Sequence, residues 1–344
     1  MEKITRVAFD HYTTRLQVLN DTASAASTFA VAPTIQQKLE TKMQESSEFL
    51  KKINIIGVTE QEGEKLGLGI SGPIASRTNT ANKDRQTRDL TTLDGHKYRC
   101  EKTNFDTHIK YQTLDAWAKF PDFQSRIANT ILKRQALDRM VIGFNGISIA
   151  TDTDIVAHPM LEDVNKGWPQ HFREQAPERV MQEGHTPGKM YIGSNADIIG
   201  DYVNLDAAVY DAIHLLDPWY QKDNGLVAIV GRALLHDKYF PLININQAPT
   251  ETLAADIIVS QKRLGGLQAV SVPYFPDNAI LITRFDNLSI YWQESARRRR
   301  VVDEAKRDRI ENYESSNDAY VVEDFGLGAM IENIVLVDAT TPKA

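Results

Sequence analysis

The sequence of 344 residues contains only one cysteine, Cys100. A single cysteine cannot close a disulfide within the chain, and it cannot supply the cysteine clusters that hold zinc or iron–sulfur centres. Such scarcity is typical of a protein from a reducing compartment such as the cytoplasm. We therefore expect Cys100 to be a small buried apolar residue, and we predict no metal site.

Long hydrophobic runs are also missing. No stretch of about 18 apolar residues occurs, so we predict no transmembrane helix and no membrane partner. Ala30-Val31-Ala32 resembles a signal-peptidase site, but Arg6 and Arg15 interrupt the apolar core that a signal peptide needs. Residues 1–29 are instead predicted to form a detachable N-terminal arm with a short amphipathic helix. Its apolar face is expected to contain Ile4, Val7, Leu16 and Leu19.

The signatures of common enzymes are absent as well. The sequence has no G-x-S-x-G nucleophile elbow, no phosphate-binding P-loop and no close histidine pair of the kind that binds zinc. Gly67, Gly69 and Gly72 match the dinucleotide fingerprint G-x-G-x-x-G, but Pro73 follows and no helix is predicted to begin there. A nicotinamide-linked oxidoreductase therefore stays a distant alternative, and we predict a protein without catalytic activity or cofactor.

The chain lacks the positive charge of a nonspecific DNA-binding protein, because its formal net charge is -7. One basic run does occur, formed by Arg297, Arg298, Arg299 and Arg300. Acidic residues follow it closely, among them Asp303 and Glu304. Alternating charge of this kind favours salt bridges between subunits, so we predict an intersubunit contact and keep a phosphate contact as the alternative.

What the sequence does have is a long helical stretch at residues 113–146. Its apolar residues recur at near-multiples of the helical turn, which predicts one continuous helix of about 24 residues and roughly 36 Å from a first turn at Pro121. The helix should end at Asn145-Gly146, a pair that tolerates the left-handed conformation of a C-terminal cap. The predicted apolar line consists of Phe123, Ile127, Ile131, Leu137, Val141 and Phe144.

An extended arm is predicted before this helix. Residues 30–52 read as a helical stretch, and residues 53–111 read as a two-stranded arm with a polar tip at 76–97. The return strand alternates with a period of two through Phe105, Thr107, Ile109 and Tyr111. Because an isolated two-stranded ribbon is marginally stable, this arm is expected to lie on a neighbouring molecule.

A compact α/β unit is predicted after it, at residues 200–292. Asn204 should cap its first helix, and residues 226–230 should form a buried strand. The last part, residues 293–337, returns to strands and ends in a tail at 338–344. The predicted strands of this part are 299–302, 307–313, 320–323 and 329–337.

Six segments, taken together, resemble the major capsid proteins of the peduovirus group of tailed bacteriophages. They are MQESSEFLKKINI (43–55), KRQALDRMVIGFNG (133–146), LVAIVGRALLHDKYFP (226–241), LAADIIVSQKRLG (253–265), VPYFPDNAILIT (272–283) and ENYESSNDAYVVEDF (311–325). The resemblance runs nearly end to end and implies an α+β protein with the HK97-like major capsid fold. Its parts would be an N-arm (1–52), an E-loop (53–111), a P-domain with the spine helix (112–199 and 293–337) and an A-domain (200–292).

The resemblance also implies a function. The chain would be a structural subunit that assembles with itself into hexamers and pentamers, which close an icosahedral shell around phage DNA. Assembly would pass through a procapsid built on a scaffolding protein that is also the prohead protease, in the host cytoplasm. The N-terminal arm would then be removed near Phe29 and Ala30. Further implied partners are a portal protein, capsid-completion or decoration proteins, and double-stranded DNA bound non-specifically. A nonviral compartment shell of the same fold is the alternative.

Overall fold

The structure is a computed structural model that describes residues 1–65, 75–85, 87, 96–118, 120, 123–243 and 262–337. Several expectations therefore lie outside the described residues. These are the glycine motif at Gly67, Gly69 and Gly72, residues 86 and 88–95 of the polar tip, the predicted first turn at Pro121, and the tail at 338–344.

The described chain contains helices and mostly short strands. The helices are α1 (Lys3–Asn20), α2 (Pro33–Glu45), α3 (Tyr111–Trp117), α4 (Phe123–Asn145), α5 (Trp168–Gln175), α6 (Leu205–Ala212) and α7 (Arg232–Ile243). The strands are β1 (Phe29–Ala30), β2 (Asn54–Val58), β3 (Glu62–Glu64), β4 (Lys97–Arg99), β5 (Glu101–Asn104), β6 (Thr107–Lys110), β7 (Val180–Met181), β8 (Met190–Ile192), β9 (Val227–Val230), β10 (Arg263–Leu264), β11 (Leu267–Val270), β12 (Ile280–Thr283), β13 (Leu288–Gln293), β14 (Arg298–Glu304), β15 (Arg309–Val322), β16 (Ala329–Ile331) and β17 (Ile334–Leu336).

The chain divides into two compact units. The first consists of Met1–Gly63, Arg99–Gly167 and Ser289–Val321, and the second contains the described parts of 64–98, 168–288 and 322–337. These boundaries differ from the predicted domains, because the second unit includes residues from 168 onward instead of from 200, and also takes part of 64–98 and the last strands. The reason is that β16 pairs antiparallel with β12, which holds the end of the chain in the sheet of the second unit.

A seven-stranded sheet forms the first unit, with the order β1-β14-β15-β13-β2 and with β5 and β6 also paired to β15. Strand β15 is one strand of 14 residues where the sequence predicted two separate strands. The predicted return strand is shorter than expected, because β6 covers only Thr107–Lys110 and Tyr111 begins α3. Both β6 and the preceding β5 belong to this sheet. Only β3 and β4 form a separate two-stranded pair in the described part of residues 53–111.

The predicted long helix is two helices, α3 and α4. Helix α4 alone has 23 residues, close to the predicted 24, and Pro121, the predicted first turn, lies outside the described residues. The predicted end at Asn145 is confirmed, but Gly146 does not have a left-handed backbone. A Cβ atom at Gly146 would lie 2.0 Å from the backbone oxygen of Asn165, so glycine is required there by close packing.

The buried face of α4 differs in part from the predicted line. Ile127, Val141 and Phe144 are buried as expected, whereas Ile131 and Leu137 are only partly buried. Of Phe123 only the backbone is described. The face is completed by residues that the apolar pattern did not select, namely Leu132, Gln135, Ala136, Arg139, Met140 and Ile142.

The predicted face of α1 is mostly wrong. Ile4, Val7 and Leu19 are exposed, and only Leu16 of the predicted set is buried. Phe9, Tyr12 and Leu16 instead follow one another at three and four residues on the buried face, so two large rings determine which side of the helix packs. Helix α2 covers only Pro33–Glu45 of the helical stretch predicted at 30–52.

The second unit is built on a six-stranded sheet with the order β10-β11-β9-β12-β16-β7, and β8 pairs with β17. Strand β9 is buried along its whole length, as predicted. The cap of α6 is also confirmed, because the side chain of Asn204 accepts a hydrogen bond of 2.9 Å from the backbone N–H of Ala207. Among the helices that the structure describes, none combines the length and the apolar character needed to cross a lipid bilayer.

Candidate functional site: the N-terminal arm on the arginine strand

The predicted cleavage pair and the arginine run, which were selected separately in the sequence, lie side by side. Phe29 is opposite Arg299 and Ala30 is opposite Arg298 in an antiparallel ladder. Strand β1 is thus an edge strand added to β14, which we call the arginine strand. The bond between Phe29 and Ala30 therefore lies inside a β-ladder and not in a free loop.

Main-chain hydrogen bonds extend this contact on both sides of the pair. The backbone N–H of Val31 donates to the carbonyl of Arg297 at 3.0 Å, and that of Val301 donates to the carbonyl of Ala25 at 2.8 Å. The guanidinium of Arg300 also donates from Nε to the carbonyl of Ala26 at 2.9 Å. Residues 25–31 consequently follow the arginine strand over its first half.

The two residues of the cleavage pair have opposite environments. Phe29 is buried in an apolar core that includes Leu114, Ile127 and Val301, whereas Ala30 is exposed. Burying a phenylalanine side chain stabilises its site by about 1.5–3 kcal/mol. Phe29 therefore anchors the segment, and a protease that cuts here needs the segment to separate from the arginine strand.

Helix α1 is fixed to the rest of the unit by two carboxylates. Asp303 accepts a hydrogen bond from Arg6 Nη1 at 2.6 Å and another from the hydroxyl of Tyr111. This second hydrogen bond raises the pKa of Tyr111 to about 12, because ionisation would place two negative charges in contact. Asp115 accepts hydrogen bonds from the hydroxyl of Thr5 and from the backbone N–H of Glu2, and these two donors lower the pKa of Asp115.

Arg299 joins the arm to the sheet through neutral partners. Its Nη2 donates to the hydroxyl of Tyr12 at 2.7 Å, and its Nε donates to Asn312 Oδ1 at 2.8 Å. Burial opposes the charge, but Tyr12 and Glu314 together raise the pKa of Arg299 above its ordinary value. The guanidinium therefore stays a cation at the boundary between the arm and the sheet.

Arg297 has a different environment from the other three arginines, because it is only 1% exposed. Its guanidinium donates to Glu314 Oε1 at 2.7 Å, to Glu40 Oε1 at 2.8 Å and to Gln135 Oε1 at 2.8 Å. All of these partners belong to the same chain. Arg298 and Arg300 are exposed, so they are the members of the run that another molecule could reach.

A second buried arginine completes this interior network. Arg139 donates to Asp318 from Nε at 3.0 Å and from Nη2 at 2.9 Å, and it also pairs with Glu40. We call the six side chains the buried ion cluster. They are Glu40, Gln135, Arg139, Arg297, Glu314 and Asp318.

Within the buried ion cluster, the opposite charges stabilise each other's ionised forms. Burial alone would raise the pKa of Glu314, but Arg297 and Arg299 lower it below the ordinary value of a glutamate. Burial likewise opposes the charge of Arg139, whereas Asp318 and Glu40 raise its pKa well above the ordinary value. Removing one partner of such a network is costly, at about 3–5 kcal/mol, because it leaves a buried charge unpaired.

The sequence contained a weak signal for this cluster. Gln135 and Arg139 are spaced four residues apart, so they lie on one face of a helix whose other residues are mainly apolar. Polar residues within an apolar helix face either mark the edge of the buried surface or are buried together with a polar partner. Their partners are remote in the sequence, so the spacing alone does not identify them.

The arrangement binds segments of the chain together and offers no reactive group. Cys100 is buried, as expected, and burial raises the pKa of its thiol to about 12. A thiol in that state is not a nucleophile at neutral pH. Within the described residues, no three side chains of histidine, cysteine, aspartate or glutamate are grouped to hold a metal ion.

Comparison with known proteins agrees with this structural character. The family model "Phage major capsid protein, P2 family" matches residues 8–334. Capsid proteins of Escherichia phage P2 are 49% identical over 352 aligned positions, which cover 99% of this chain and 98% of theirs. The major capsid protein of Serratia phage KSP20 is 42% identical over 97% of each chain.

Solved structures give the same result for the fold. A chain of the procapsid of satellite phage P4, solved with the size determination (Sid) protein, superimposes with a TM-score of 0.81 at 46% identity, over 99% of this chain and 100% of that one. The α+β, HK97-like fold predicted from the sequence is thereby confirmed. The same relatives are phage capsid proteins, which favours the viral capsid over the oxidoreductase and the nonviral compartment shell. The chain belongs to the P2 family of phage major capsid proteins, and its function is to build the icosahedral capsid shell.

Proposed function

We propose that this chain is a purely structural subunit, and that it enters a scaffolded procapsid with residues 1–29 in place and loses them by proteolysis between Phe29 and Ala30. The scaffolding protein is proposed to be the prohead protease as well. The observation that carries this proposal is the separation of two sets of contacts in the first unit. The arm is held by an edge strand, by the apolar core that receives Leu16 and Phe29, and by the ion pair of Arg6 with Asp303, whereas no member of the buried ion cluster belongs to residues 1–29.

This separation makes the arm removable. The cluster joins α2 through Glu40, α4 through Arg139 and β15 through Asp318, so the mature chain keeps the network that ties its helices to its sheet. A shell subunit needs such rigidity, because each subunit contact is repeated around the whole particle. Loss of the arm then uncovers the apolar core that Phe29 shares with Leu114 and Val301, but it leaves the buried ion cluster in place.

Further partners belong to the same proposal. Arg298 and Arg300 are exposed beside the cleavage pair and are proposed to contact a neighbouring subunit. The portal protein, capsid-completion or decoration proteins and double-stranded DNA are proposed as additional partners, with assembly in the host cytoplasm. A net charge of -7 suits a protein that encloses DNA without binding it tightly. The P4 procapsid relative contains a size-determination protein, which is in keeping with assembly that depends on a second protein.

The experiment is co-expression of the full chain with its scaffolding protease, followed by electron microscopy and intact-mass measurement of the particles. We expect closed shells whose subunits begin at Ala30. Co-expression with a protease whose catalytic residue is replaced serves as the control, and it should give shells with residues 1–29 still attached. Mature shells that keep the original N-terminus in the presence of active protease would falsify the processing step while leaving the shell function intact.

A further inference from the structure

A groove of about 310 Å³ lies between α1, α2 and α4 in the first unit. Its floor is apolar. On α1 it is lined by Leu16 and Leu19, and on α2 by Ile35 and Leu39. Leu19 is 44% exposed, and Ile35 and Leu39 are only partly buried, so the groove presents apolar surface that the rest of this unit leaves open. The residues on each helix recur at three or four positions, which makes each wall a single helix face.

The rim of this groove carries charge of one sign only. Arg15 and Lys42 are exposed at the rim, and the partly buried Arg299 also lines the groove, where its hydrogen-bond partners are the neutral side chains of Tyr12 and Asn312. The described residues that line the groove include no aspartate and no glutamate. This is unusual for a chain whose overall charge is negative. The groove therefore favours a ligand that is apolar on one side and anionic on the other.

We infer that this groove is a docking site for an acidic amphipathic helix of a partner protein. Helices commonly bind by laying an apolar face, repeated at three and four residues, into a groove of matching spacing. Leucine-type side chains of the partner fill the floor between Leu16 and Leu39, while its carboxylates face Arg15 and Lys42. Nucleic acid fits less well, because a phosphate backbone satisfies the cations but leaves the apolar floor in water.

The groove also depends on the N-terminal arm. Tyr12, Arg15, Leu16 and Leu19 lie within residues 1–29, whereas Ile35 and Lys42 lie beyond them. If the arm is removed as proposed above, one complete wall of the groove goes with it. The partner helix thus binds the unprocessed chain and is released when the arm is removed. This second step rests on the proposed function, but the docking itself does not.

Docking is tested with a fluorescent peptide and the full-length chain purified without its partners. The probe is a helical peptide of about four turns with leucines at positions i, i+4, i+7 and i+11 and glutamates elsewhere. One control peptide has the same composition in scrambled order, and another has lysine in place of glutamate. We expect fluorescence anisotropy to detect binding of the first peptide only. Equal binding of the scrambled peptide, or displacement of the probe by duplex DNA, overturns the assignment of the groove to an acidic helix.

Matched variants then locate the binding site. Lys42→Glu reverses the charge at the rim and should weaken binding roughly tenfold or more, since losing a charge pair of about 1.4 kcal/mol changes affinity by that factor. Lys38 is exposed on the same helix but does not line the groove, so Lys38→Glu should leave the affinity within about twofold of the wild type. Equal effects of the two variants show that only the net charge matters, and they contradict docking in this groove.

The release step needs a chain that folds before the arm is cut. A recognition site for a specific protease, inserted between Ser27 and Thr28, lies at exposed positions of the full-length chain. Cutting after the peptide has bound should release it, with the intact chain under the same buffer as the control. Retention of the peptide by the cut chain overturns the coupling to processing. Shell formation is scored separately by electron microscopy, so peptide binding without shells counts against the proposed function and not against the groove.

Discussion

Arg297 and Glu314 hold each other in the interior of the first unit, where Nε of the arginine lies 2.7 Å from Oε1 of the glutamate. Both side chains are almost completely buried, at 1% and 5% exposure. They belong to different strand regions, since Arg297 precedes the arginine strand and Glu314 lies within β15. The pair, together with Arg139, Glu40 and Asp318, decides how α2 and α4 are held on the sheet.

Removing the central cation of this network should destabilise the subunit strongly. Arg139→Met keeps an unbranched apolar stem but leaves Glu40 and Asp318 without the Arg139 cation, so we expect a loss of about 3–5 kcal/mol in the free energy of unfolding. Chemical denaturation of the full chain measures this loss. Arg134→Met on the same helix removes an ion pair with Asp138 in which the arginine side chain is 58% exposed, and it should cost about 1 kcal/mol or less. Equal losses in the two variants contradict the buried ion cluster as a source of stability.

Acid should weaken the first unit through Glu314. Its pKa in the folded chain is below the ordinary value of 4.5, so the stability it contributes is fully present above about pH 4.5 and is lost as the pH falls through the lowered folded-state pKa. Glu314→Gln should therefore be less stable than the wild type at neutral pH, and its stability should fall less steeply between about pH 4.5 and pH 3. Unfolding free energies measured across this range test the sign, with Glu62→Gln at an exposed position as the control. A wild-type slope in the Glu314→Gln variant contradicts the lowered pKa.

Opening of the arm should depend on Phe29. Phe29→Ala removes an anchor from the apolar core. We expect the free energy of local opening to fall by at least 1.4 kcal/mol, which increases cleavage by a nonspecific protease about tenfold. Limited proteolysis with mass spectrometry follows cuts within residues 21–31. Thr28→Ala, at the exposed neighbouring position, should be cut at the wild-type rate. Similar rates for both variants mean that β1 does not protect this segment.

Apolar periodicity was enough to predict some elements and not others. It gave α4 with its end at Asn145, the buried strand β9 and the cap at Asn204, because each depends on neighbours within a few residues. Arg139 was missed because its partner Asp318 is 179 positions away. Strand β15 was divided in two for the same reason, since Glu314 and Asp318 interrupt its apolar pattern although both are buried by distant cations.

The contact between the N-terminal arm and the arginine strand was also beyond sequence-based prediction, because its partners are remote in the sequence. The cleavage pair came from resemblance and the arginine run came from its composition, and neither predicted that Phe29 and Arg299 are opposite each other in one ladder. That pairing joins residues 270 positions apart through main-chain hydrogen bonds, which carry little information about side-chain type. The buried state of Arg297, beside three more accessible arginines, likewise depends on Glu40 and Gln135 from other elements.

Substitutions at Gly146 distinguish the left-handed helix cap predicted from the sequence from the close packing seen in the structure. A left-handed helix cap accepts asparagine almost as readily as glycine, so Gly146→Asn would be nearly neutral under that hypothesis. In the structure the backbone of Gly146 is not left-handed, and its N–H donates to the carbonyl of Ile142 at 2.8 Å.

Close approach makes the opposite prediction for this variant. A Cβ atom would lie 2.0 Å from the backbone oxygen of Asn165 and 2.7 Å from that of Ile142, and backbone atoms cannot give way without moving the end of α4. We therefore expect both Gly146→Ala and Gly146→Asn to lower the free energy of unfolding by about 1–3 kcal/mol, with asparagine no better than alanine. Thermal denaturation of the two variants beside the wild type measures the difference. If the asparagine variant is nearly as stable as the wild type while the alanine variant is destabilised, the left-handed cap explains this glycine and the close contact does not.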